Sequence, residues 1–343
     1  MNFLNYLFNF TWAFICLSLK SEKGAFTYGQ VTAMTHDLIK AELANGVFKS
    51  NKFLQRLYEK KELEEGGNKI LCPLMTKDDT GTTGAFYSPR DTLSLDEYDG
   101  ISASEHEWRY IHESIVIYKS DIAKNAGKLG VLKLINSKMK QAESAMRQRM
   151  VKGALSDGGA SLGALDTDQF DGLEAVIASS GSYGGISSTD LAQWVSYVDD
   201  NGGTLRALTQ AILDKAFDQT VEEGIVGATL GIMDKSVFSK FKGLLTGQQR
   251  VTRENTVSGQ GHKGQVIVYN GIDHMIENNM PASTLFYVDE STFKLHVHQD
   301  HNMRRQSIKD LETADALLER IFLYGNTVAS ERRGCSRVND ITV

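Results

Sequence analysis

The stretch Gly127–Leu155, GKLGVLKLINSKMKQAESAMRQRMVKGAL, carries the strongest helical pattern in the chain and decides the fold. Charged side chains mostly lie off the apolar stripe, whose members recur at spacings of three and four: Leu132, Ile135, Met139, Ala142, Met146 and Met150. This period predicts one long amphipathic helix from about Lys128 to Leu155. We interpret its methionines as core packing rather than a cofactor site, because Met commonly fills gaps in protein cores.

A segment with a two-residue period precedes this helix. In EWRYIHESIVIYK, residues Glu107–Lys119, alternate side chains fall into two sets, as expected for a long strand. The apolar segment NKILCPLM, Asn68–Met75, is an earlier strand candidate, and more than twenty mostly polar residues separate the two. Loops of that length are uncommon inside compact domains and are usually functional. The pattern therefore predicts an extended hairpin that projects from the body of the protein.

The C-terminal half mixes helices with strands, which gives an α+β fold class. We predict a helix around Trp194 with Ser188 or Thr189 as its N-cap, and a second helix over 204–223. IVGATLGIMD is a buried-strand candidate that leads into a helix, SVFSKFKGLL. Later strands are predicted in VIVYNGIDHMI, TLFYVDESTFKLHVH and ALLERIFLYGNTV.

Composition is that of an ordinary globular protein. The chain has 343 residues, a length typical of about two domains, with 41% hydrophobic and 23% charged residues. A net charge of -6 and a pI near 5.8 argue against a strong nucleic-acid binder, whose basic patch neutralises phosphates. Cys16, Cys72 and Cys335 are odd in number and widely spaced, so they predict neither a disulfide framework nor a CxxC site. A reducing compartment is the simplest interpretation.

The first nineteen residues, MNFLNYLFNFTWAFICLSL, are uncharged and rich in Phe and Leu. They lack the basic n-region and cleavage site of a secretory signal, and three Asn interrupt a run at the short edge of a membrane span. Three interpretations stay open: a targeting segment, an N-terminal arm, and an extension in front of a start at Met34. The stretch after Met34, MTHDLIKAELANGVF, reads as the opening of a domain.

One motif suggests zinc chemistry. LHVHQDHNM places His296, His298, Asp300 and His301 in the H-x-H-x-D-H pattern of metallo-β-lactamase-type hydrolases. That fold needs further His and Asp ligands well downstream, whereas only 42 residues follow His301 and none is His. We therefore predict no metal site here. The alternative is a strand whose inward and outward side chains alternate, with Phe293, Leu295 and Val297 inward and Lys294, His296 and His298 outward.

A second motif suggests a nucleotide. Gly259, Gly261 and Gly264 satisfy G-x-G-x-x-G, which binds dinucleotides when it follows a strand and opens a helix. Here the apolar run VIVY follows the glycines, and this run is typical of a strand. A mobile glycine loop is the better interpretation. We predict neither catalytic nor cofactor-binding residues in this chain and no cofactor.

The order of these segments resembles the major capsid proteins of tailed bacteriophages, which have the Hong Kong 97-type fold. FLQRLYE before GGNKILCPLM and GAFYSPRDTLS resemble the entry and first strand of the family's projecting E-loop, and EWRYIHESIVI its return strand. SDIAKNAGKLGVLKLINSKMKQAESAMRQRMVKGAL is similar to the spine helix with its approach. DGLEAVI, GSYGGIS and Trp194 resemble the start of the axial domain, and VIVYNGIDHMIENNMPASTLFYVDESTFKLHV the return to the peripheral domain. The match spans about Asn51 to Val343, and the hydrophobic N-terminus departs from it.

The resemblance implies five parts: an N-terminal segment and arm at 1–66, with 1–33 a candidate extension; an E-loop at 67–118; a peripheral domain with the spine helix at 119–170; an axial domain at 171–293; and a return to the peripheral domain at 294–343. It implies a non-enzymatic coat protein that self-assembles into hexamers and pentamers around double-stranded DNA. Portal, scaffolding or decoration proteins are further expected partners, the DNA contact is non-specific, and no membrane is expected. The implied location is the virion, assembled in the host cytoplasm. The alternatives are a zinc-dependent hydrolase and an encapsulin-type nanocompartment shell.

Overall fold

The computed structural model describes residues 51–75, 87–90, 92, 101–124, 128–156, 168–221, 227–245 and 266–342. The predictions for the hydrophobic N-terminus, the start at Met34 and the glycine motif Gly259–Gly264 lie outside these residues, as does most of the hairpin tip at 78–99.

The described helices and strands follow the α+β pattern predicted from the sequence. The helices are α1 Lys52–Glu59, α2 Lys119–Lys124, α3 Lys128–Leu155, α4 Leu173–Val176, α5 Gln210–Asp218 and α6 Lys235–Leu245. The strands of the first half are β1 Glu62–Glu64, β2 Ile70–Met75, β3 Ile101–His106, β4 Arg109–Tyr118, β5 Ser182–Tyr183, β6 Ile186–Ser187 and β7 Tyr197–Asp199. Those of the second half are β8 Leu230–Met233, β9 Val266–Tyr269, β10 Ile272–Ile276, β11 Leu285–Val288, β12 Phe293–His298, β13 Arg304–Asp310, β14 Ala316–Ala329 and β15 Ser336–Val338.

Two sheets organise these elements. In the five-stranded sheet, the fourteen-residue strand β14 pairs antiparallel with β4 on one side and with β12 and β13 on the other, and β1 extends the sheet in parallel beside β12. The six-stranded sheet has the order β7-β15-β11-β8-β10-β9. Strands β2 and β3 form a separate antiparallel pair. The predicted return strand of the hairpin, Glu107–Lys119, is therefore wrong, because β4 pairs with β14 and not with β2.

The long helix α3 has the predicted bounds and packs on β4. Met139, Met146 and Met150 of the methionine stripe are buried in one core with Ile115 and Ile117 of β4. Ile135 is half-buried beside that core, and the side chain of Leu132 lies outside the described part. The core-packing interpretation of the stripe is confirmed, and each such side chain stabilises the fold by about 2–5 kcal/mol against truncation to Ala.

Two helix predictions in the middle of the chain are wrong. The segment around Trp194 forms successive turns that lead into β7, with the Trp194 amide N–H donating to the Leu191 carbonyl. The helix predicted over 204–223 is helical only at α5, where the Thr209 side chain accepts the first-turn N–H of Ile212. Upstream of that cap, the backbone of Arg206 pairs with Ile341 instead. Contacts with the distant C-terminus therefore override the local helical period.

Candidate functional site

The four residues of the zinc-like motif do not meet around one ion. His298 packs against Trp108 with ring centroids 5.6 Å apart, and its Nδ1 accepts the Asp300 amide N–H at 3.2 Å. His301 stacks on Tyr324 at 4.2 Å. Among the residues that the structure describes, this motif supplies only His296 to a group of three candidate ligands. The hydrolase arrangement is therefore not assembled by these four residues.

His296 itself corrects the sequence analysis. It was predicted to point outward, but its side chain is buried with 5% of the residue exposed. Strand β1 lies beside β12 with Glu62 opposite His296, and the His296 Nδ1 is 2.9 Å from a Glu64 carboxylate oxygen. The Cys72 sulfur lies 4.0 Å from the His296 Nε2. The alternation rule failed here because β2 packs over this face, with Cys72 beside His296, and the carboxylates of the neighbouring strand β1 flank the ring.

The base of the hairpin is anchored by a polar cluster around His106, the last residue of β3. His106 is 2% exposed, and its Nδ1 and an Asp171 oxygen are 3.2 Å apart. Asp171 also accepts from the Asn326 side-chain amide at 2.9 Å and pairs with Arg109 at 3.5 Å. Burial raises the pKa of Asp171, but its hydrogen bonds with His106 and Asn326 and the charge of Arg109 outweigh burial and hold it below its ordinary value. The hairpin is thereby fixed to β14 and to the start of the second half of the chain.

The turn between β5 and β6 fits closely against this cluster. Gly184 has φ +59°, and a Cβ there would lie 2.6 Å from the Ser104 Cβ and 2.8 Å from the His106 Nε2. Its carbonyl accepts the Glu105 amide N–H at 2.9 Å. Only glycine meets both demands, the left-handed backbone and the close approach to the strand.

A buried guanidinium anchors the segment before β7. Arg332 is 1% exposed and donates to the carbonyls of Val176 and Trp194 at 2.7 Å each and of Ala178 at 3.3 Å. Its charge also lies over the Tyr183 ring, 5.2 Å from the centroid. The arginine thus joins three carbonyls of an irregular backbone and supplies the donor for that of Trp194.

The first described helix is tied to the six-stranded sheet by charge. Arg56 of α1 donates to both carboxylate oxygens of Glu290, at 2.5 and 2.8 Å, and to Asp273 at 2.8 Å. Burial alone would raise the pKa of Glu290. The hydrogen bonds and charge of Arg56, together with the charge of Lys60, outweigh burial and hold this pKa below its ordinary value. This bidentate pairing fixes both the position and the orientation of the helix.

Sequence analysis missed these anchors. Asp171 and Asn326 each stand beside apolar residues and Arg332 stands in the polar run SERRG, and neither setting is a strong signal because such residues are usually solvated. Their partners lie far away in sequence, 155 residues apart for Asn326 and Asp171. Together these contacts hold the base of the hairpin and the two sheets in fixed relation. In the described part of the chain, no helix is long and apolar enough to cross a membrane.

Comparison with known proteins gives one family and a consistent set of structures. The family model described as SU10 major capsid protein matches residues 117–325, more than half of the chain. No curated protein matches the sequence significantly.

Among solved structures, the capsid asymmetric unit of cyanophage A-1(L) is similar with a TM-score of 0.63 and 15% identity, covering 85% of this chain and 93% of that chain. The capsid of the native GTA particle gives 0.58 and 10%, covering 84% and 90%. The procapsid of satellite phage P4 gives 0.52 and 13%, covering 100% and 99%. These similarities confirm the Hong Kong 97-type fold expected from the sequence.

Proposed function

Because this chain belongs to the SU10 major capsid protein family, we propose that its copies form the hexamers and pentamers of an icosahedral head that encloses double-stranded DNA. The protein is a phage capsid shell protein, and its place is the capsid of the virion. The observation that carries the proposal is the family match over 117–325, which runs from the end of β4 through α3 to β14.

We propose the division of the chain given above, with the E-loop at 67–118, the peripheral domain at 119–170 and 294–343, and the axial domain at 171–293. The two sheets support this division. The five-stranded sheet beside α3 combines strands from 62–64, 109–118 and 293–329, whereas five of the six strands of the other sheet lie between 197 and 288. The strand β4, at the end of the proposed E-loop, is thus also part of the peripheral sheet. The strand β15, Ser336–Val338, returns to the six-stranded sheet, so the last segment contributes to both bodies.

The hairpin suits a contact between subunits. Its described base is a two-stranded ribbon, and such a ribbon is marginally stable alone in water. Leu71 on β2 is 61% exposed, which leaves apolar area for a neighbour to cover. A neighbouring subunit can also supply hydrogen bonds along the free strand edges. Head-to-tail contacts of this kind close into rings when the rotation closes.

The charge of the protein suits a container. With a net charge of -6, the subunit does not bind packaged DNA tightly at every phosphate, so the contact is non-specific and release is unhindered. We propose portal, scaffolding and decoration proteins as further partners, with assembly in the host cytoplasm. The role is structural, as for the family, and we propose that the subunit has no catalytic activity of its own.

Assembly of the purified full-length protein tests the proposal. At high concentration it should sediment as rings or closed shells that are visible by electron microscopy. A variant in which a short Gly-Ser linker replaces 78–99 should keep the circular dichroism of the wild type but fail to form stable shells. A strictly monomeric wild type under all conditions would refute the proposal, and an unfolded linker variant would place the segment in the core.

The contents of native shells distinguish the encapsulin-type alternative, which shares the fold. Particles from phage-producing cells should protect double-stranded DNA from nuclease. Shells that contain a cargo enzyme and no protected DNA would instead identify a cellular compartment.

A further inference from the structure

Three elements that are distant in sequence bring metal-binding side chains together at the edge of the five-stranded sheet. Glu62 on β1 lies opposite His296 on β12, and Cys72 comes from β2 at the base of the hairpin. The His296 Nε2 lies 3.8 Å from a Glu62 carboxylate oxygen and 4.0 Å from the Cys72 sulfur. Both His296 and Cys72 are buried, at 5% and 6% exposure. Candidate ligand atoms of Glu62, Glu64 and His296 also lie within 4.8 Å of one another.

Glu64 prepares the imidazole for a ligand. Its carboxylate is 2.9 Å from the His296 Nδ1, so this nitrogen carries the proton and donates. The Nε2 then has a free lone pair that points toward Cys72 and Glu62. A carboxylate that holds the far nitrogen of a histidine in this way is the usual support of a metal-bound imidazole.

We propose that Cys72, His296 and Glu62 bind a zinc ion, with Glu64 orienting the imidazole. Zinc prefers sulfur, nitrogen and carboxylate ligands in a tetrahedron, at about 2.3, 2.0 and 2.1 Å. Those bond lengths require separations of about 3.5 Å between sulfur and nitrogen, about 3.4 Å between nitrogen and oxygen and about 3.6 Å between sulfur and oxygen. The observed 4.0 and 3.8 Å from the His296 Nε2 therefore have to close by about 0.4–0.5 Å. Cys72 is not one of the residues whose ligand atoms lie within 4.8 Å of one another, so the Glu62 carboxylate also has to turn toward the sulfur. The Glu62 side chain is 46% exposed, which permits this rotation.

Charge favours a dication at this place. Glu62 and Glu64 are accompanied by one cation, Lys294, whose ammonium group is 2.5 Å from the other Glu62 oxygen. The net charge of these three groups is negative. Zinc together with a Cys72 thiolate brings the local charge to zero. Lys294 can stay hydrogen-bonded to the Glu62 oxygen that does not bind the ion. The half-exposed Glu62 leaves the fourth position open to a water molecule.

A bound zinc ion would connect strands from the two ends of the described chain. The ion would clip the hairpin strand β2 to β1 and β12, and it would stabilise the subunit by mass action.

Zinc binding by the full-length protein tests the inference directly. After chelator treatment and reloading with zinc, gel-filtered wild type should retain about one zinc per subunit by elemental analysis. Glu62→Gln and Cys72→Ser should each lower the affinity at least tenfold, whereas Glu65→Gln, an exposed neighbour on the same segment, should leave it unchanged. With cobalt in place of zinc, the wild type should show the near-ultraviolet charge-transfer band of a thiolate ligand, and Cys72→Ser should lose it.

Two results would overturn the inference. One is wild-type protein that retains no zinc against a competing chelator although it is folded. The other is zinc retained equally by Cys72→Ser and Glu62→Gln, which would place the ion elsewhere. Circular dichroism of the half-exposed Glu62→Gln variant separates lost binding from lost folding.

Discussion

Replacing Arg332 with Met should destabilise the subunit without changing its exposed surface, because Arg332 is 1% exposed. The guanidinium donates to three buried or part-buried carbonyls, those of Val176, Ala178 and Trp194. Methionine has similar length and packs in the same space, but it has no donor. The Trp194 carbonyl loses its donor, at a cost of about 1–3 kcal/mol. The carbonyls of Val176 and Ala178 keep the N–H groups of Ala178 and Ser196 as donors, so they lose less.

A compensating effect reduces this loss. Burial lowers the pKa of Arg332, which reflects the cost of holding a charge away from water, and the variant no longer incurs that cost. We expect a net decrease of about 1–2 kcal/mol in the free energy of unfolding. Arg332→Lys should be no better than Arg332→Met, because one ammonium cannot reach three carbonyls that a planar guanidinium bridges.

The assay is urea unfolding of dissociated subunits, followed by circular dichroism. The matched control is Arg333→Met at the next position, where the side chain pairs with Glu331 near the surface at 3.1 Å. Loss of such a pair changes stability by about 0–1 kcal/mol. Equal stability of the Arg332→Met and Arg333→Met variants would refute the reasoning, because it would mean that the carbonyls find other partners at no cost.

Three further predictions follow from close contacts in the sheets and the long helix. Gly325→Ala should destabilise the subunit by about 1–3 kcal/mol, because its Cβ would lie 2.4 Å from the His296 carbonyl oxygen. Gly243→Ala, where a Cβ on a helix meets open space, should stabilise it by about 0.5–1 kcal/mol. Thermal melts of both variants measure the two effects. Burial lowers the pKa of His274 to about 4, so the unfolded chain binds the proton before the folded chain does as the pH falls below about 6.5. The free energy of unfolding should therefore decrease by about 2 kcal/mol between pH 7 and pH 5. Urea titrations of His274→Gln should lack that decrease. Met146→Ala should lower the free energy of unfolding by about 2–5 kcal/mol and reduce the assembly yield as well. Lys140→Ala, on the exposed face of the same helix, should leave the free energy of unfolding within about 0.5 kcal/mol of wild type. Equal effects at the two positions would mean that the wrong face of α3 had been assigned to the core.

Sequence analysis succeeded where the deciding interactions are local or repeat along one element. The helix α3 follows from a stripe that persists over 28 residues, and β4 from alternation that leaves Ile115 and Ile117 buried. Each additional period adds to the amphipathic signal, so long elements can be predicted with little knowledge of their partners. The hairpin was predicted only in part: its first strand is β2, but its return strand is β3, Ile101–His106, whereas β4 pairs with β14 in the five-stranded sheet.

The failures share a different cause, which is a partner far away in sequence. His296 was placed outward because alternation alone cannot show that β2, whose Cys72 is 224 residues earlier, packs over that face. The charged segment KKELEE gave no strand signal, yet Glu62–Glu64 pairs in parallel with β12. The segment before α5 was predicted as helix because its leucines are periodic, but Arg206 bonds to the C-terminal backbone instead.

The polar anchors explain how a chain with long extensions keeps one defined shape. Apolar packing is non-directional and tolerates small shifts between bodies, whereas a hydrogen bond fails within a fraction of an ångström or a few tens of degrees. Asp171 with His106, and Arg56 with Glu290, lie where one segment of the chain meets another. In the assembly proposed above, the subunit presents its hairpin to a neighbour in one direction, and small angular errors at the base grow with distance along the hairpin. Directional bonds hold the described base of the hairpin in one orientation, which packing of the methionine stripe against β4 could not do alone, because apolar packing has no preferred direction.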